Sequence, residues 1–177
     1  TDVTEPTLTA FRVTTRRLML PLRPLPSPAD AQAEAERWQQ TVAQLEASGS
    51  SLVERQLAQR HLDWARLQQR AVLSGEKPEV EMELQAIRLN DIGLVTIPGE
   101  PFVEIGLNIK RRSPLPYTFV LGYSNGCLVY IPTAEAFKQG GYEVNAHKNY
   151  MLPSGVTTEW AGTIEKMALE MLAELVT

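Results

Sequence analysis

The sequence has one cysteine, two histidines and no long apolar run, and these shortages exclude several classes of protein. The single cysteine, Cys127, excludes an intrachain disulfide framework and says little about compartment. No run approaches the roughly 20 apolar residues that span a bilayer, so we expect neither a transmembrane segment nor a signal peptide in this sequence. Basic side chains number 17 against 21 acidic ones, a formal net charge of −4, which argues against a nucleic-acid partner.

The composition that remains is typical of a globular protein, with 44% hydrophobic and 21% charged residues in a chain of 177. That length suits a single domain, or the C-terminal part of a larger one, and can bury roughly 70% of the unfolded surface. The chain starts at Thr1 rather than at a methionine. We therefore expect it to be processed, cleaved or cut from a longer protein, while compartment and oligomeric state stay open.

A helical hairpin is predicted at about 28–74. Ser27 followed by Pro28 is typical of a helix start, because serine caps the free N–H groups and proline suits the first turn. Ser51 and Glu54 have the spacing of a capping box, which predicts the start of a second helix. The two helices are too short for the sustained heptads of a coiled coil. We interpret them as an αα-hairpin inserted into the fold.

Three strands are predicted around this insertion. The segment 8–22 alternates loosely in apolar residues, and Pro21 indicates an edge position or the end of the strand. The segment 79–89 alternates clearly, and the turn at 90–91 pairs it antiparallel with the apolar run 92–97.

The segment 92–121 has the order of a βαβ unit. The strand 92–97 is followed by a predicted helix at 101–112 and a second strand at 117–121. Such a unit implies parallel strands and a right-handed crossover, so the sheet is predicted to be mixed. A last helix, from about 153 to 176, carries an apolar stripe that suits it to cover the sheet. The predicted fold class is α/β, with an α/β core at about 79–177.

The loops that follow two neighbouring parallel strands emerge at the same edge of the sheet, where α/β proteins usually place their sites. Glu100 lies on the first such loop and Tyr130 lies beyond the second, so this edge is the candidate site. Taken alone, each residue also fits a structural role. Glu100 suits the start of a helix that begins at Pro101, and Tyr130 suits a buried aromatic position with a satisfied hydroxyl.

A longer pattern accompanies these two residues. Pro-Gly-Glu at 98–100 is followed by N-x4-Y-x-P-T at 125–133 and by Gly-Tyr-Glu at 141–143. In this order the pattern resembles the catalytic domain of the neutral/alkaline (non-lysosomal) ceramidase family, from about Ala86 to the C-terminus. The resemblance implies that Glu100 and Tyr130 bind zinc. It also implies that Tyr142 is a catalytic residue that positions the scissile carbonyl or stabilises the oxyanion.

The implied chemistry agrees with the residue types. A carboxylate and a phenol oxygen are hard ligands, and a catalytic Zn²⁺ keeps one position open for water or substrate. Bound zinc lowers the pKa of its water to about 7 and polarises a carbonyl. In the family, two further ligands are histidines that precede the matched segment. Here His61 and His147 form no metal-binding pair; His61 is interpreted as a packed or surface residue, and His147 as a surface residue in a loop. The resemblance therefore implies that an N-terminal part of the same precursor supplies the histidines.

Two functions are predicted. The first is the C-terminal portion of a ceramidase-like zinc amide hydrolase, which cleaves an N-acyl linkage in a lipid-like substrate once upstream residues complete the site. The alternative is a catalytically silent assembly or binding subunit with the same fold. The run 101–104 replaces a more polar, threonine-rich run of the family, which leaves the substrate, including ceramide itself, open.

Overall fold

The structure is a computed structural model that describes residues 7–75 and 77–177. It contains two compact units. The sheet unit comprises the described residues up to Leu20 together with 81–143 and 158–177, and the hairpin unit comprises 21–80 and 144–157. The elements are β1 (Phe11–Pro21), α1 (Pro28–Ala47), α2 (Leu52–Ser74), β2 (Glu79–Leu89), β3 (Ile92–Thr96), β4 (Glu100–Pro101), α3 (Val103–Arg112), β5 (Tyr117–Leu121), β6 (Tyr130–Ile131), α4 (Ala134–Gln139), a 3-10 helix (Glu143–Lys148) and α5 (Trp160–Glu174).

The main sheet has four strands in the order β1-β2-β3-β5. Strands β2 and β3 are antiparallel and joined by the tight turn at Asn90, where φ is +52°. Strands β3 and β5 are parallel, and α3 forms the crossover between them. The predicted mixed sheet, its βαβ unit and the edge position of β1 are thus confirmed.

In the part of the chain that the structure describes, helices cover one face of this sheet and leave the other open. Trp160, Ile164, Met171 and Leu172 of α5 are fully buried. A Cβ added at Gly93 of β3 would lie 2.9 Å from the Leu172 side chain, so this helix packs closely on the strand. The opposite face exposes aromatic side chains: Tyr117 is 63% and Phe119 51% exposed on β5, and Phe11 is 61% exposed on β1. This open face is unusual for parallel strands, which are normally covered on both sides.

The hairpin unit begins as local capping chemistry predicts. The Ser27 hydroxyl accepts a hydrogen bond from the Asp30 N–H, and Ser51 and Glu54 form both bonds of a capping box. The segment 144–157 is attached to α2 by side-chain hydrogen bonds. Trp64 Nε1 donates to the Leu152 carbonyl over 2.8 Å. The predicted αα-hairpin is therefore confirmed.

Two predicted helix boundaries are wrong. Helix α3 begins at Val103 rather than Pro101, because the preceding backbone is used in the two-residue pair of β4 with β6. The N–H groups of Glu100 and Phe102 donate to carbonyls of the other segment over 3.0 and 3.1 Å. Helix α5 begins at Trp160 rather than near 153, and the residues before it belong to the hairpin unit up to position 157.

Candidate functional site

The backbone places Glu100 directly opposite Tyr130. Strands β4 and β6 form a separate, parallel two-stranded sheet in which Glu100 pairs with Tyr130 and Pro101 with Ile131. Glu100 was predicted to lie on a loop; it lies instead on β4. A Cβ added at Gly99 would lie 2.8 Å from the Val129 carbonyl oxygen, so this pairing needs glycine beside the glutamate. The structure therefore brings together the two residues predicted to face each other at this edge.

The Glu100 carboxylate is a shared hydrogen-bond acceptor. The hydroxyls of Tyr130 and Tyr123 both donate to it, and this interaction is the main cause that raises the pKa of each phenol to about 12. Cys127 Sγ lies 3.9 Å from Glu100 Oε1. Burial, followed by the negative charge of Glu100, raises the pKa of that thiol. Both phenols and the thiol are therefore in their neutral, proton-bearing forms near neutral pH.

Tyr142 joins this group through its ring. The rings of Tyr130 and Tyr142 meet edge to face, with centroids 5.8 Å apart and planes at 76°. Tyr142 is 57% exposed, so its side chain remains accessible from solvent. The turn before it uses Gly140 and Gly141, whose φ angles of +72° and +114° favour residues without a Cβ. All three predicted site residues thus lie in one cluster of the sheet unit.

Two members of the cluster, Tyr123 and Cys127, were missed in the sequence analysis. Tyr123 lies in the turn after β5 with φ of +54°, a conformation uncommon for a residue with a side chain. The available signal was topological, because the loop after β5 emerges at the same edge as the loop after β3. Any hydroxyl or thiol on that loop was therefore a candidate neighbour of Glu100.

A cleft of about 360 Å³ adjoins the carboxylate. Glu100, Tyr123 and Tyr130 line one part of the cleft, and residues of α3 line another part. Val103 and Leu107 of that helix are 69% and 48% exposed, so the cleft has an apolar wall open to solvent. Its shape and lining suit a ligand with an apolar chain.

The two histidines belong to the hairpin unit. His61 stacks on Trp38 with ring centroids 4.3 Å apart, and His147 meets Trp64 edge to face at 5.8 Å. Burial, then the charges of Arg23 and Lys148, lower the pKa of His147 to about 4. His147 was predicted to be a surface residue in a loop; it lies instead in a 3-10 helix, where it is half-buried and its ring contacts Trp64 of α2.

The candidate ligands for a metal are oxygen atoms. Within residues 7–75 and 77–177, no group of three or more His, Cys, Asp and Glu side chains is placed to hold a metal ion. The Glu100 carboxylate is an oxygen donor of the kind that zinc accepts in proteins, and the Tyr130 phenol is an oxygen group next to it. In that described part of the chain, no helix is long and apolar enough to cross a bilayer.

No protein-family model and no curated protein matches the sequence, whereas two solved structures resemble its fold. The neutral ceramidase from Pseudomonas aeruginosa has a TM-score of 0.49 and 16% identity, covering 93% of this chain and 28% of that chain. A ceramidase complexed with C2 has a TM-score of 0.45 and 17% identity, covering 54% of this chain and 15% of that chain. Both of these proteins are ceramidases. This chain spans less than a third of the length of either.

Proposed function

We propose that this chain forms part of a ceramidase-like, zinc-dependent hydrolase that cleaves N-acyl amide linkages. The observation that carries the proposal is the pairing of Glu100 with Tyr130, whose side-chain oxygens meet in a cluster beside an apolar cleft. An acid and a phenol held together by backbone pairing form a compact set of oxygen donors. An N-acyl lipid has the matching chemistry, an amide joined to an apolar chain.

Glu100 and Tyr130 are the residues that would hold zinc. When bound, zinc supplies an activated water and a polarised carbonyl at the scissile amide. A catalytic site has three protein ligands and one open position, so at least one further ligand is needed. In this proposal, histidines from an N-terminal part of the same precursor complete the site. The assembly that includes these histidines is therefore expected to be active, whereas this chain alone is not.

The chain's other residues have roles that do not require the metal. Tyr142 bears a hydroxyl suited to donate a hydrogen bond to an amide carbonyl or to the negative charge that develops on it. Tyr123 fixes the orientation of Glu100 by donating a hydrogen bond to its carboxylate. Val103 and Leu107 offer apolar contacts along the cleft, which exclude water from an acyl chain bound there.

A second function is a catalytically silent assembly or binding subunit with the same fold. One observation favours it: in the described part of the chain, no group of three or more His, Cys, Asp and Glu side chains is placed to hold a metal. Such a subunit keeps the apolar cleft as a ligand site and needs no zinc.

Zinc stoichiometry and hydrolysis of a fluorogenic N-acyl amide, measured with and without the upstream part, distinguish the two functions. The hydrolase proposal expects zinc and activity in the completed protein, and loss of zinc in Glu100→Gln and Tyr130→Phe. Glu104→Gln is the matched control, because Glu104 is an exposed carboxylate in the first turn of α3. A completed protein that binds no zinc, or a Glu100→Gln variant with unchanged zinc content, contradicts the proposal.

A further inference from the structure

A second cleft, of about 520 Å³, lies within the hairpin unit. It shares no lining residue with the cleft beside Glu100. Its lining includes Arg23 from the segment before α1, Trp64 from α2, and His147 and Lys148 from the 3-10 helix. None of these residues has a part in the function proposed above.

Arg23 is fixed in this cleft by its surroundings. Its backbone N–H donates to the Gly155 carbonyl over 2.7 Å, and one terminal nitrogen, Nη2, donates to the Val144 carbonyl over 3.2 Å. The guanidinium occupies the space beside Gly155, where an added Cβ would lie 1.7 Å from Nη2. The glycine thus makes room for the arginine head.

The hydrogen-bonding capacity of this arginine is incompletely used. Its Nε is buried and has no hydrogen-bond partner, and Arg23 forms no ion pair with any carboxylate in the described part of the chain. His147 Nδ1, in the lining of the same cleft, is also buried without a partner. Buried polar atoms are normally paired, so Arg23 Nε and His147 Nδ1 mark this cleft as a place where polar groups lack partners.

Two of the other charges in the cleft, those of Lys148 and Glu34, pair with each other. Lys148 lies 3.7 Å from Glu34 and 4.3 Å from the centre of the Trp64 ring. Glu34 also accepts hydrogen bonds from Arg37 and Trp38. Asp30 accepts a hydrogen bond from the Ser27 hydroxyl over 2.6 Å. The unsatisfied group that remains is the cationic fork of Arg23.

We propose that this cleft binds an oxyanion, a phosphate or carboxylate group, with the Arg23 guanidinium as its anchoring cation and the His147 ring beside it. An arginine fork matches the geometry of such groups, and hydrogen bonds between ionised partners are stronger than neutral ones. The volume of the cleft is large enough for an organic molecule that carries the anion. The site is an additional binding function of the hairpin unit.

The test is an NMR titration of the two histidine rings in the full chain with phosphate and, separately, with acetate. A bound anion offsets the charge of Arg23, which together with burial and Lys148 lowers the pKa of His147, so this pKa rises from about 4. His61 responds less and is the internal reference, because its charged neighbours are Lys148, Arg37, Arg60 and Glu34 rather than Arg23. Binding of phosphate alone identifies a phosphate ligand, and binding of both identifies a general oxyanion site.

Two variants and one control test the role of Arg23. Arg23→Gln removes the fork and is expected to weaken binding at least about tenfold, the loss typical of one hydrogen bond to a charged group. Gly155→Ala keeps the charge but displaces the guanidinium, and is expected to have a comparable effect. Arg70→Gln makes the same charge change at an exposed position of α2 outside the cleft and is expected to bind normally. Circular dichroism checks that each variant is folded.

The proposal is overturned if neither anion shifts the His147 resonance of the wild-type chain at millimolar concentrations. It is also overturned if a folded Arg23→Gln variant binds as tightly as the Arg70→Gln control. The first of these outcomes needs no variant, so the proposal stays testable even if changes at Arg23 prevent folding.

Discussion

Glu100 and Tyr130 are opposite each other on two short parallel strands, and the Tyr130 hydroxyl donates a hydrogen bond to the Glu100 carboxylate. Tyr123 donates to the same carboxylate from the loop after β5. One acidic side chain is therefore held by two phenols, each from a different part of the sheet unit. The pKa values of these two phenols therefore show whether the arrangement exists in solution.

Replacing Glu100 by glutamine is expected to lower the pKa of Tyr123 and Tyr130 from about 12 towards the usual value of 10.0. The reason is that the negative acceptor, which favours the protonated phenol, is lost. The measurement is the tyrosinate absorbance during an alkaline titration, restricted to the pH range in which circular dichroism shows a folded chain. Glu104→Gln should titrate like the wild type. Identical curves for Glu100→Gln and the wild type would show that the carboxylate does not hold these hydroxyls.

Replacing Gly99 by alanine is expected to lower the free energy of unfolding by about 1–3 kcal/mol, the usual cost of overpacking. The added Cβ meets the Val129 carbonyl oxygen at 2.8 Å and Ile131 Cδ1 at 3.0 Å, so β6 must move. Urea denaturation measures the change. The control is Gly162→Ala in α5, where nothing lies within 4 Å and a gain of about 0.5 kcal/mol is expected from helix propensity. Equal stability of the two variants would contradict the close approach at Gly99.

Replacing Trp64 by phenylalanine is expected to cost about 1–3 kcal/mol, because the Leu152 carbonyl loses the indole donor of a buried ring. The matched change is Trp38→Phe, expected to cost less than about 1 kcal/mol. Trp38 also donates a hydrogen bond, but its acceptor is Glu34, which keeps its interactions with Arg37 and Lys148. Denaturation followed by circular dichroism compares the two. A larger loss in Trp38→Phe would contradict the attachment of 144–157 through Trp64.

The low pKa of His147 predicts a pH dependence of stability. In the unfolded chain this ring takes up a proton near pH 6.5, whereas the folded chain takes it up only near pH 4. The unfolded state therefore binds more protons between these values, so the free energy of unfolding falls as the pH drops from 6.5 to 4. His147→Gln should show a smaller fall over this window. Parallel stability curves for the two proteins would contradict the burial of His147.

Much of the fold follows from local chemistry that can be recognised in the sequence. Ser27, Ser51 and Glu54 have the residue types and spacing of helix caps, and the caps form where predicted. The turn at Asn90 and the strand–helix–strand order give the antiparallel and parallel pairs of the mixed sheet. These features depend on neighbours in sequence, or on the few connections that a chain allows.

The features that were not predicted depend on tertiary contacts. The pair of β4 with β6 consists of two residues on each side, too short to leave a hydrophobic pattern, and it delays the start of α3. Tyr123 meets Glu100 through a turn whose geometry no local pattern specifies. His147 is half-buried because a segment distant in sequence from α2 packs against Trp64.

The pairing of β4 with β6 is made by main-chain atoms: the N–H groups of Glu100 and Phe102 donate to the carbonyls of Val129 and Ile131. The spacing of positions 100 and 130 is thus independent of what their side chains are. A protein engineer who exchanges both side chains, for example for two imidazoles, keeps the scaffold and changes only the reactive groups on it. Positions 100 and 130 therefore offer a pair of exchangeable functional groups on a scaffold that main-chain hydrogen bonds hold together.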